Sequence, residues 1–144
     1  MPTHAPVPMI RSCIVNQVIA AIQACPGGVS FLRHQHGIKS ASSNLYDLIA
    51  LGRYLCLFED AAVLAKDPLF GARLGNSLPP GELLGPIGFL VLTSPSLRIG
   101  LTNMARYINV WQDATKVSLH DQDGAALWSC LLYTSDAADE EDSV

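Results

Sequence analysis

The sequence predicts an α+β domain that is mainly helical and carries a small antiparallel β-hairpin at its C-terminal end. Helix is indicated by an apolar stripe whose members recur at alternating steps of four and three residues, which places them on one helix face. The hairpin is indicated by a change to a period of two at 116–120, followed by turn residues at 121–124 and a second strand at 126–132. The chain has 144 residues, enough for one domain with its own core. The stripe consists of Leu97, Leu101, Met104, Ile108 and Trp111.

Two helices are predicted in the first forty residues. The first covers Ser12–Ala24, with the Ser12 hydroxyl as its N-cap, and a Pro-Gly-Gly sequence at 26–28 ends it. The second covers Val29–His36 and ends at Gly37, a typical C-cap residue. The residues before the first helix start as an extended arm, in which Pro8–Arg11 could add an edge strand.

A longer helix is predicted over Leu51–Lys66, because its large apolar residues recur at helical spacing. The chain then restarts: the Asp67 carboxylate can cap the next helix, and Pro68 suits a first helical position. This next helix is short and covers Leu69–Gly75. The apolar positions of the long helix are Leu51, Leu55, Phe58 and Ala62, with Tyr54 and Leu57 beside them.

The longest apolar run, Leu83–Leu92, fits either a buried helix or a buried strand. Its length and the cap-like Thr-Ser-Pro-Ser sequence after it favour a helix. At ten residues it is too short to cross a bilayer, which takes about 20. In the striped helix that follows, Ser94 is the predicted cap, Pro95 takes the first helical position, and Asp113 lies near the end.

The predicted hairpin strands are Lys116–His120 and Ala126–Leu132. Because two strands alone are marginally stable in water, the hairpin must pack on the helices or belong to a larger sheet. We expect no further strand from the rest of the chain. Residues 133–144 form an acidic tail that we expect to be disordered. The sequence CLLYTSDAADE at 130–140 is similar to translated sequencing-adapter DNA, in which case the natural protein continues past Ser129.

Composition excludes several function classes. The formal net charge is −4, but five of the thirteen acidic residues lie in the last nine positions, so the body is nearly neutral. Without a basic patch, the chain should not bind nucleic acid by itself. The N-terminus has no secretory pattern, and we expect a cytoplasmic protein without a membrane anchor. The four scattered cysteines lack a CxxC pair, and we expect them to be reduced, buried, small apolar residues.

No catalytic or metal-binding constellation emerges, and we expect no enzyme and no cofactor. His34 and His36 are two apart on a helix and point in different directions, so we expect a solvent-facing pair, not metal ligands. Asp60 and its neighbour Glu59 are adjacent, not facing, and should be solvated or capping. Asp113 and His120 could be drawn into a hydrolytic triad, yet the nucleophile pattern GxSxG is missing.

The glycines between Phe70 and Phe89 do not form a phosphate-binding loop. Neither GxGxxG nor GxxxxGK[ST] occurs, and the glycines alternate with bulky apolar residues. Close packing of helices and turns explains them better. They are Gly71, Gly75, Gly81, Gly85 and Gly88.

The end of the striped helix provides the candidate ligand contacts. Tyr107, Trp111 and Gln112 could line an apolar pocket with one polar anchor. In the other interpretation, Trp111 fills the core beneath the hairpin.

An ordered series of segments resembles a known family. The series begins with FLRHQHGI at 31–38 and YLCLFEDAA at 54–62, and continues with DPLFGARLG at 67–75 and the apolar run after Gly85. SPSL at 94–97, ARY at 105–107, VWQD at 110–113 and VSL at 117–119 complete it. Over about residues 8–128, the chain resembles the N-terminal arabinose-binding-like regulatory domain of AraC/XylS-type bacterial transcription regulators.

This resemblance implies an effector-sensing domain that dimerises or signals to a C-terminal pair of helix-turn-helix units. The effector would be an unidentified small molecule, a homodimer is possible, and promoter DNA would be bound only through that C-terminal half, which is missing here. The family usually has a proline where this chain has Ala50, which would let the long helix start earlier. The alternatives are a stand-alone small-molecule-binding or scaffolding protein, and an enzyme of unrecognised type.

Overall fold

The computed structural model describes residues 6–39 and 47–133 and confirms the predicted fold class. Within these residues, seven α-helices accompany two small antiparallel sheets. None of the described helices is long and apolar enough to cross a bilayer. The helices are α1 (Val15–Ala21), α2 (Gly28–His36), α3 (Leu51–Ala65), α4 (Phe70–Ser77), α5 (Pro80–Leu84), α6 (Pro86–Leu92) and α7 (Leu97–Tyr107).

The first core cluster surrounds α3, which contacts α1, α2 and α4. Leu57 and Ala61 of α3 are fully buried one helical turn apart. They meet fully buried side chains from the first two helices, among them Val18 and Leu32. Phe58 places its ring edge toward Phe70 of α4, with ring centroids 6.4 Å apart. The face of α3 predicted from spacing is therefore displaced toward Leu57 and Ala61.

The second core cluster joins the N-terminal arm to the C-terminal half of the chain. Leu51 contributes to it from the start of α3, and Ile87 from α6. Trp111 lies near its centre, with only 6% of its surface exposed. The other buried members are Ile10, Cys13, Ile14, Ile108 and Val117.

The chain contributes two further short strands: one lies in the N-terminal arm, where the sequence allows an edge strand, and the other corrects the expectation that the rest of the chain supplies none. β1 (Met9–Arg11) pairs antiparallel with β2 (Leu48–Ala50), and Ile10 faces Ile49. The predicted edge strand at Pro8–Arg11 is thereby confirmed. Ala50 has extended backbone angles and ends β2, so the long helix starts at Leu51 and no earlier.

The C-terminal hairpin is confirmed, with each strand longer than predicted. β3 (Thr115–Gln122) and β4 (Ala125–Leu132) pair along their full length, with Thr115 opposite Leu132. The turn consists of Asp123 and Gly124, both at positive φ. Val117 and Trp128 belong to or pack against the second core cluster. Of the two predicted means of stabilising the hairpin, packing on the helices is therefore the one observed. Residues 134–144 of the predicted disordered tail lie outside the described residues.

The apolar run Leu83–Leu92 is helical, as favoured, but it is divided at Gly85. This residue has φ +52° and ψ −130°, a backbone conformation that L side chains avoid. The chain therefore turns sharply there, and the short α5 folds back on α6. The two helices form a tight helical hairpin.

The striped helix is shorter than predicted and has a different cap. α7 ends at Tyr107, a 3-10 turn covers Ile108–Val110, and Asp113 lies outside both. Ser96 is the N-cap, since its hydroxyl accepts the Ile99 N–H, whereas the Ser94 hydroxyl donates to the Leu90 carbonyl. The stripe is buried only toward its C-terminal end: Leu97 is 73% exposed, whereas Ile108 and Trp111 are buried.

Three other helix ends refine the predictions. The first helix spans seven residues from Val15, and Ile14, not Ser12, is its N-cap residue. Asp67 does serve the start of α4: one carboxylate oxygen accepts the Leu69 N–H, and the other pairs with Arg73 Nε at 2.8 Å. That helix starts one residue later than predicted and ends at Ser77.

The prediction of a solvent-facing histidine pair is wrong for His36. Its ring is 5% exposed, and Nε2 lies 2.9 Å from Asp60 Oδ2 on α3. His34 is exposed, as expected. Gly37 takes a left-handed conformation immediately after His36, and this turn ends α2 where it meets α3. The contact between His36 and Asp60 therefore joins α2 to α3, with the imidazole buried and the carboxylate partly buried.

Removal of the Asp60 carboxylate should destabilise the domain. Asp60→Ala leaves a buried imidazole nitrogen without its partner, which we expect to lower the free energy of unfolding by about 1–2 kcal/mol. Urea unfolding followed by circular dichroism measures this change. The matched control is Glu59→Ala at the adjacent, exposed position, expected to stay within about 0.5 kcal/mol. Equal effects of the two substitutions would contradict the assigned role of the pair.

Candidate functional site

Of the five cavities described within residues 6–39 and 47–133, the largest lies where α1 and the helical hairpin of α5 and α6 meet Trp111. Its volume is about 610 Å³, and it is partly open. Most of its lining is apolar, and the lining side chains include no Lys, Arg or His. The lining residues are Cys13, Gln17, Gly81, Glu82, Gly85, Pro86, Phe89 and Trp111.

The sharp turn at Gly85 gives the cavity its aromatic wall. A side chain at Gly85 would place its Cβ 2.9 Å from Cζ3 of Trp111, so the indole packs directly against the glycine. At Gly81 a Cβ would lie 2.8 Å from the Phe89 ring. The two glycines therefore let two aromatic rings approach the backbone of the helical hairpin. Three of the five glycines predicted to permit close packing do so, namely Gly81, Gly85 and Gly88; a Cβ at Gly71 would make an ordinary contact, and Gly75 has open space beside it.

Gln17 lines the cavity, but the oxygen of its side-chain amide does not face it. Oε1 is buried, has no hydrogen-bond partner in the structure and lies out of reach of a molecule in the cavity. An acceptor left in this state costs free energy, because water no longer solvates it.

Cys13 also lines the cavity, as a neutral thiol. Its Sγ lies 3.5 Å from the carbonyl oxygen of Leu83, to which it donates. Burial raises the pKa of the Cys13 thiol to about 11, and a backbone hydrogen bond at Ile14 opposes this only in part. Burial, and secondarily the nearby Cys13, also raises the pKa of Tyr54. The thiol is therefore protonated at neutral pH and adds no charge to the cavity.

Alkylation should distinguish the cysteines sharply. At neutral pH we expect Cys13 to react with iodoacetamide at least about 100-fold more slowly than an ordinary thiol, because a raised pKa depletes the thiolate. Cys56 and Cys130 are exposed, and they are the internal references. Peptide mapping by mass spectrometry over time gives all three rates. Alkylation of Cys13 as fast as that of Cys56 would contradict the burial of the thiol.

The exposure of Cys56 and Cys130 corrects the expectation that all four cysteines are buried. Cys13 is buried and Cys25 is partly buried, as expected for small apolar residues. Cys130 is exposed on β4, although it lies opposite the buried Val117 and therefore on the hairpin face that is directed toward the helices. All four are free thiols.

The three residues predicted as ligand contacts do not converge on one cavity. Trp111 fills the core beneath the hairpin and also lines the cavity, so both interpretations of this residue describe part of its surroundings. Tyr107 is 42% exposed and lines a separate shallow depression with Leu90 and Val110. Gln112 donates from Nε2 to Thr115 Oγ1 at 2.6 Å and lines none of the described cavities.

Sequence reasoning missed most of the cavity because its walls come from distant parts of the chain. One signal was available: Gln17 follows Cys13 by four residues and Ile14 by three, so it flanks the apolar face of the first helix. A polar residue in that position points toward the core boundary. The Gly-Pro step at 85–86, which interrupts the apolar run, marked the turn that shapes the aromatic wall.

The geometry offers nothing that resembles a hydrolytic triad or a metal centre. Asp113 accepts the Met9 N–H at 3.0 Å and so fixes the N-terminal strand. His120 is exposed on β3, and no hydrogen bond joins it to Asp113 among the described residues. Within residues 6–39 and 47–133, no three His, Cys, Asp or Glu side chains are grouped to hold a metal ion. The volume and the mostly apolar lining of the cavity suit the binding of a small molecule.

Comparison with known proteins gives one family. A family model described as the arabinose-binding domain of AraC transcription regulators, N-terminal, matches residues 32–142, which is more than half of the chain. No curated protein matches the chain significantly. The match runs from within α2 to beyond the C-terminal hairpin. It includes Trp111 and five of the other residues that line the cavity.

Proposed function

Because the chain belongs to the family of N-terminal arabinose-binding domains of AraC transcription regulators, we propose that it senses a small-molecule effector in the cavity beside Trp111. The observation that carries this proposal is the cavity itself. Its volume of about 610 Å³ lies in the range of small-molecule sites, which is about 300–1,000 Å³. Its mostly apolar walls, with the polar side chains of Gln17 and Glu82 among the lining residues, match the usual composition of such sites.

The proposed route from the cavity to the rest of a regulator runs through the segment around Trp111. The Arg11 N–H donates to the Trp111 carbonyl at 3.0 Å, and the Asp113 N–H donates to the Met9 carbonyl at 2.8 Å. This segment is thereby joined to β1, and it continues directly into β3. An effector that moves the indole would shift the end of the 3-10 turn and with it the hairpin.

In the full regulator, the hairpin would pass this shift toward a C-terminal helix-turn-helix domain that binds promoter DNA. We further propose that the domain works in the bacterial cytoplasm, with homodimerisation as one output, and that it catalyses no reaction. These statements are supported by the family and by a cavity without general-base, nucleophile or metal geometry among the described residues.

Ligand-induced thermal stabilisation of the purified chain tests the proposal. We expect a compound from a panel of sugars, aromatic alcohols, amines and carboxylates to raise Tm, because binding to the folded state adds about 2.7 kcal/mol at 100-fold excess over Kd. Gln17→Phe fills the cavity and should abolish that increase. The matched control is Gln23→Phe, at an exposed position just beyond the same helix.

Two results would reject the proposal. One is that no compound class stabilises the chain. The other is stabilisation that persists unchanged in Gln17→Phe, which would place the ligand elsewhere. A chimera with a helix-turn-helix domain of the same family then tests the output: its promoter occupancy should depend on the ligand, and the Gln17→Phe chimera should not respond.

A further inference from the structure

The charge of the cavity lining restricts the chemistry of the molecule that it can hold. Resting on the proposed function, we infer that the effector is an organic cation: a protonated amine or a quaternary ammonium group carried on an apolar body. Three observations lead to this inference. They are a lining without Lys or Arg among the described residues, the carboxylate of Glu82, and the aromatic rings of Phe89 and Trp111 in the same cavity.

Glu82 gives the cavity a negative charge that no cationic side chain balances there. It is the one acidic residue among the described residues that line the cavity. All nine lysines and arginines of the sequence belong to the described part of the chain, and none of them lines the cavity. The ion pairs formed between described residues do not include Glu82. A bound cation would therefore supply the opposite charge that this carboxylate lacks.

Two aromatic rings lie within one helical turn of Glu82 along the chain. A Cβ at Gly81, the residue before it, would meet Cζ, Cε1 and Cε2 of Phe89. A Cβ at Gly85, three residues after it, would meet Cζ3 and Cη2 of Trp111. Phe89 is nevertheless largely exposed, so much of its ring surface stays open. Aromatic rings attract organic cations, Trp most strongly, so the lining combines two groups that bind an ammonium head.

The same charge argues against an acidic effector. A ligand carboxylate would face Glu82 without meeting a cation, and it would lose water on entering a mostly apolar cavity. An uncharged ligand avoids this cost but gains nothing from Glu82. Because Glu82 is exposed, solvent screens its charge and its contribution to affinity is modest. The preference for a cation is therefore measured against an uncharged ligand of the same shape.

Three probes test the sign of the ligand's charge: naphthylethylamine, naphthylethanol and naphthylacetate, all substituted at the same ring position. They share one aromatic body, and at neutral pH their head groups are a cation, an uncharged alcohol and an anion. Equilibrium dialysis against the purified chain measures each Kd. We expect the amine to bind about tenfold more tightly than the alcohol, as a cation–π contact together with a screened ion pair provides. The acid should bind more weakly than the alcohol.

Glu82→Gln assigns part of the preference to the carboxylate. Glutamine keeps the length and removes the charge, so the amine should bind about threefold more weakly while the alcohol binds as before. The position is exposed, so the variant should remain folded. Glu59→Gln, at an exposed position that does not line the cavity, is the matched control. A carboxylate that only stabilises the first turn of α5 would change Tm but not the preference.

Phe89→Leu tests the aromatic ring separately. Leucine keeps an apolar side chain but has no ring, so the ratio of amine to alcohol affinity should fall about threefold. Using the ratio removes the loss of apolar contact that both probes share. Phe31→Leu is the matched control, because Phe31 is also exposed and does not line the cavity.

The outcomes distinguish the inference from the proposed function. An amine that binds no more tightly than the alcohol would overturn the inference, and so would an amine preference that is unchanged in Glu82→Gln or in Phe89→Leu. A sugar or carboxylate from the wider panel whose binding is abolished by Gln17→Phe would keep the cavity as the effector site and overturn the inference alone. If none of the three probes binds, the inference is wrong; the proposed function fails as well only if no panel compound stabilises the chain.

Discussion

Gly88→Ala is expected to destabilise the domain by about 4 kcal/mol or to prevent folding, the upper end for a single added methyl group. A Cβ at Gly88 would lie 1.9 Å from the Pro80 carbonyl oxygen and 2.4 Å from its carbon. These are backbone atoms, so no side-chain rotation relieves the overlap, and α5 must move away from α6. Urea unfolding followed by circular dichroism measures the loss.

The matched control is Gly75→Ala. Gly75 lies within α4 and has open space where the Cβ would go. Alanine there should stabilise the domain by about 0.5–1 kcal/mol, because glycine is the poorer helix former. Opposite signs for the two substitutions would support the tight helical hairpin. If Gly88→Ala is as stable as the native chain, the packing of α5 on α6 is wrong.

Trp111→Ala is expected to lower the free energy of unfolding by about 3–5 kcal/mol. The indole is 6% exposed, fills the second core cluster and forms one wall of the cavity. Its removal leaves a void that joins the cavity, so we also expect the panel compound that raises Tm to bind more weakly. Urea unfolding and equilibrium dialysis on the same preparation give both quantities.

Trp128→Ala provides the comparison, because this residue packs against the same cluster but is only partly buried. We expect a loss of about 1–2 kcal/mol and little effect on binding of the same compound, since Trp128 does not line the cavity. If Trp128→Ala lowers the free energy of unfolding more than Trp111→Ala does, Trp111 is not the central residue of the second core cluster.

Strong local patterns carried most of the fold prediction. The hairpin could be predicted because the alternation of its first strand is followed by turn residues that end in Asp-Gly. The helical character of Leu83–Leu92 followed from its length, but the break at Gly85 depends on how α5 packs, which the pattern does not contain. Two serines flank Pro95, and either could cap the helix; the extended backbone of Ser96 decides between them.

Features that depend on distant residues were not predictable from spacing. β1 and β2 have three residues each, too few to show alternation, and they pair across almost forty positions. His36 was expected in solvent because its partner Asp60 lies on another helix. In the candidate site, Trp111 could be identified from the stripe, but Gln17 and Phe89 become neighbours of the same cavity only through tertiary packing.

The indole N–H signals in proton–nitrogen correlation spectra test the central claim most directly. The sequence contains two tryptophans, so Trp128→Phe assigns both signals. On titration with the panel compound that raises Tm, we predict a saturable shift of the Trp111 indole signal, with accompanying shifts in β3, and no such shift in Gln17→Phe. A Trp111 signal that stays in place while dialysis shows this compound bound would contradict the assignment of this cavity as the sensing site.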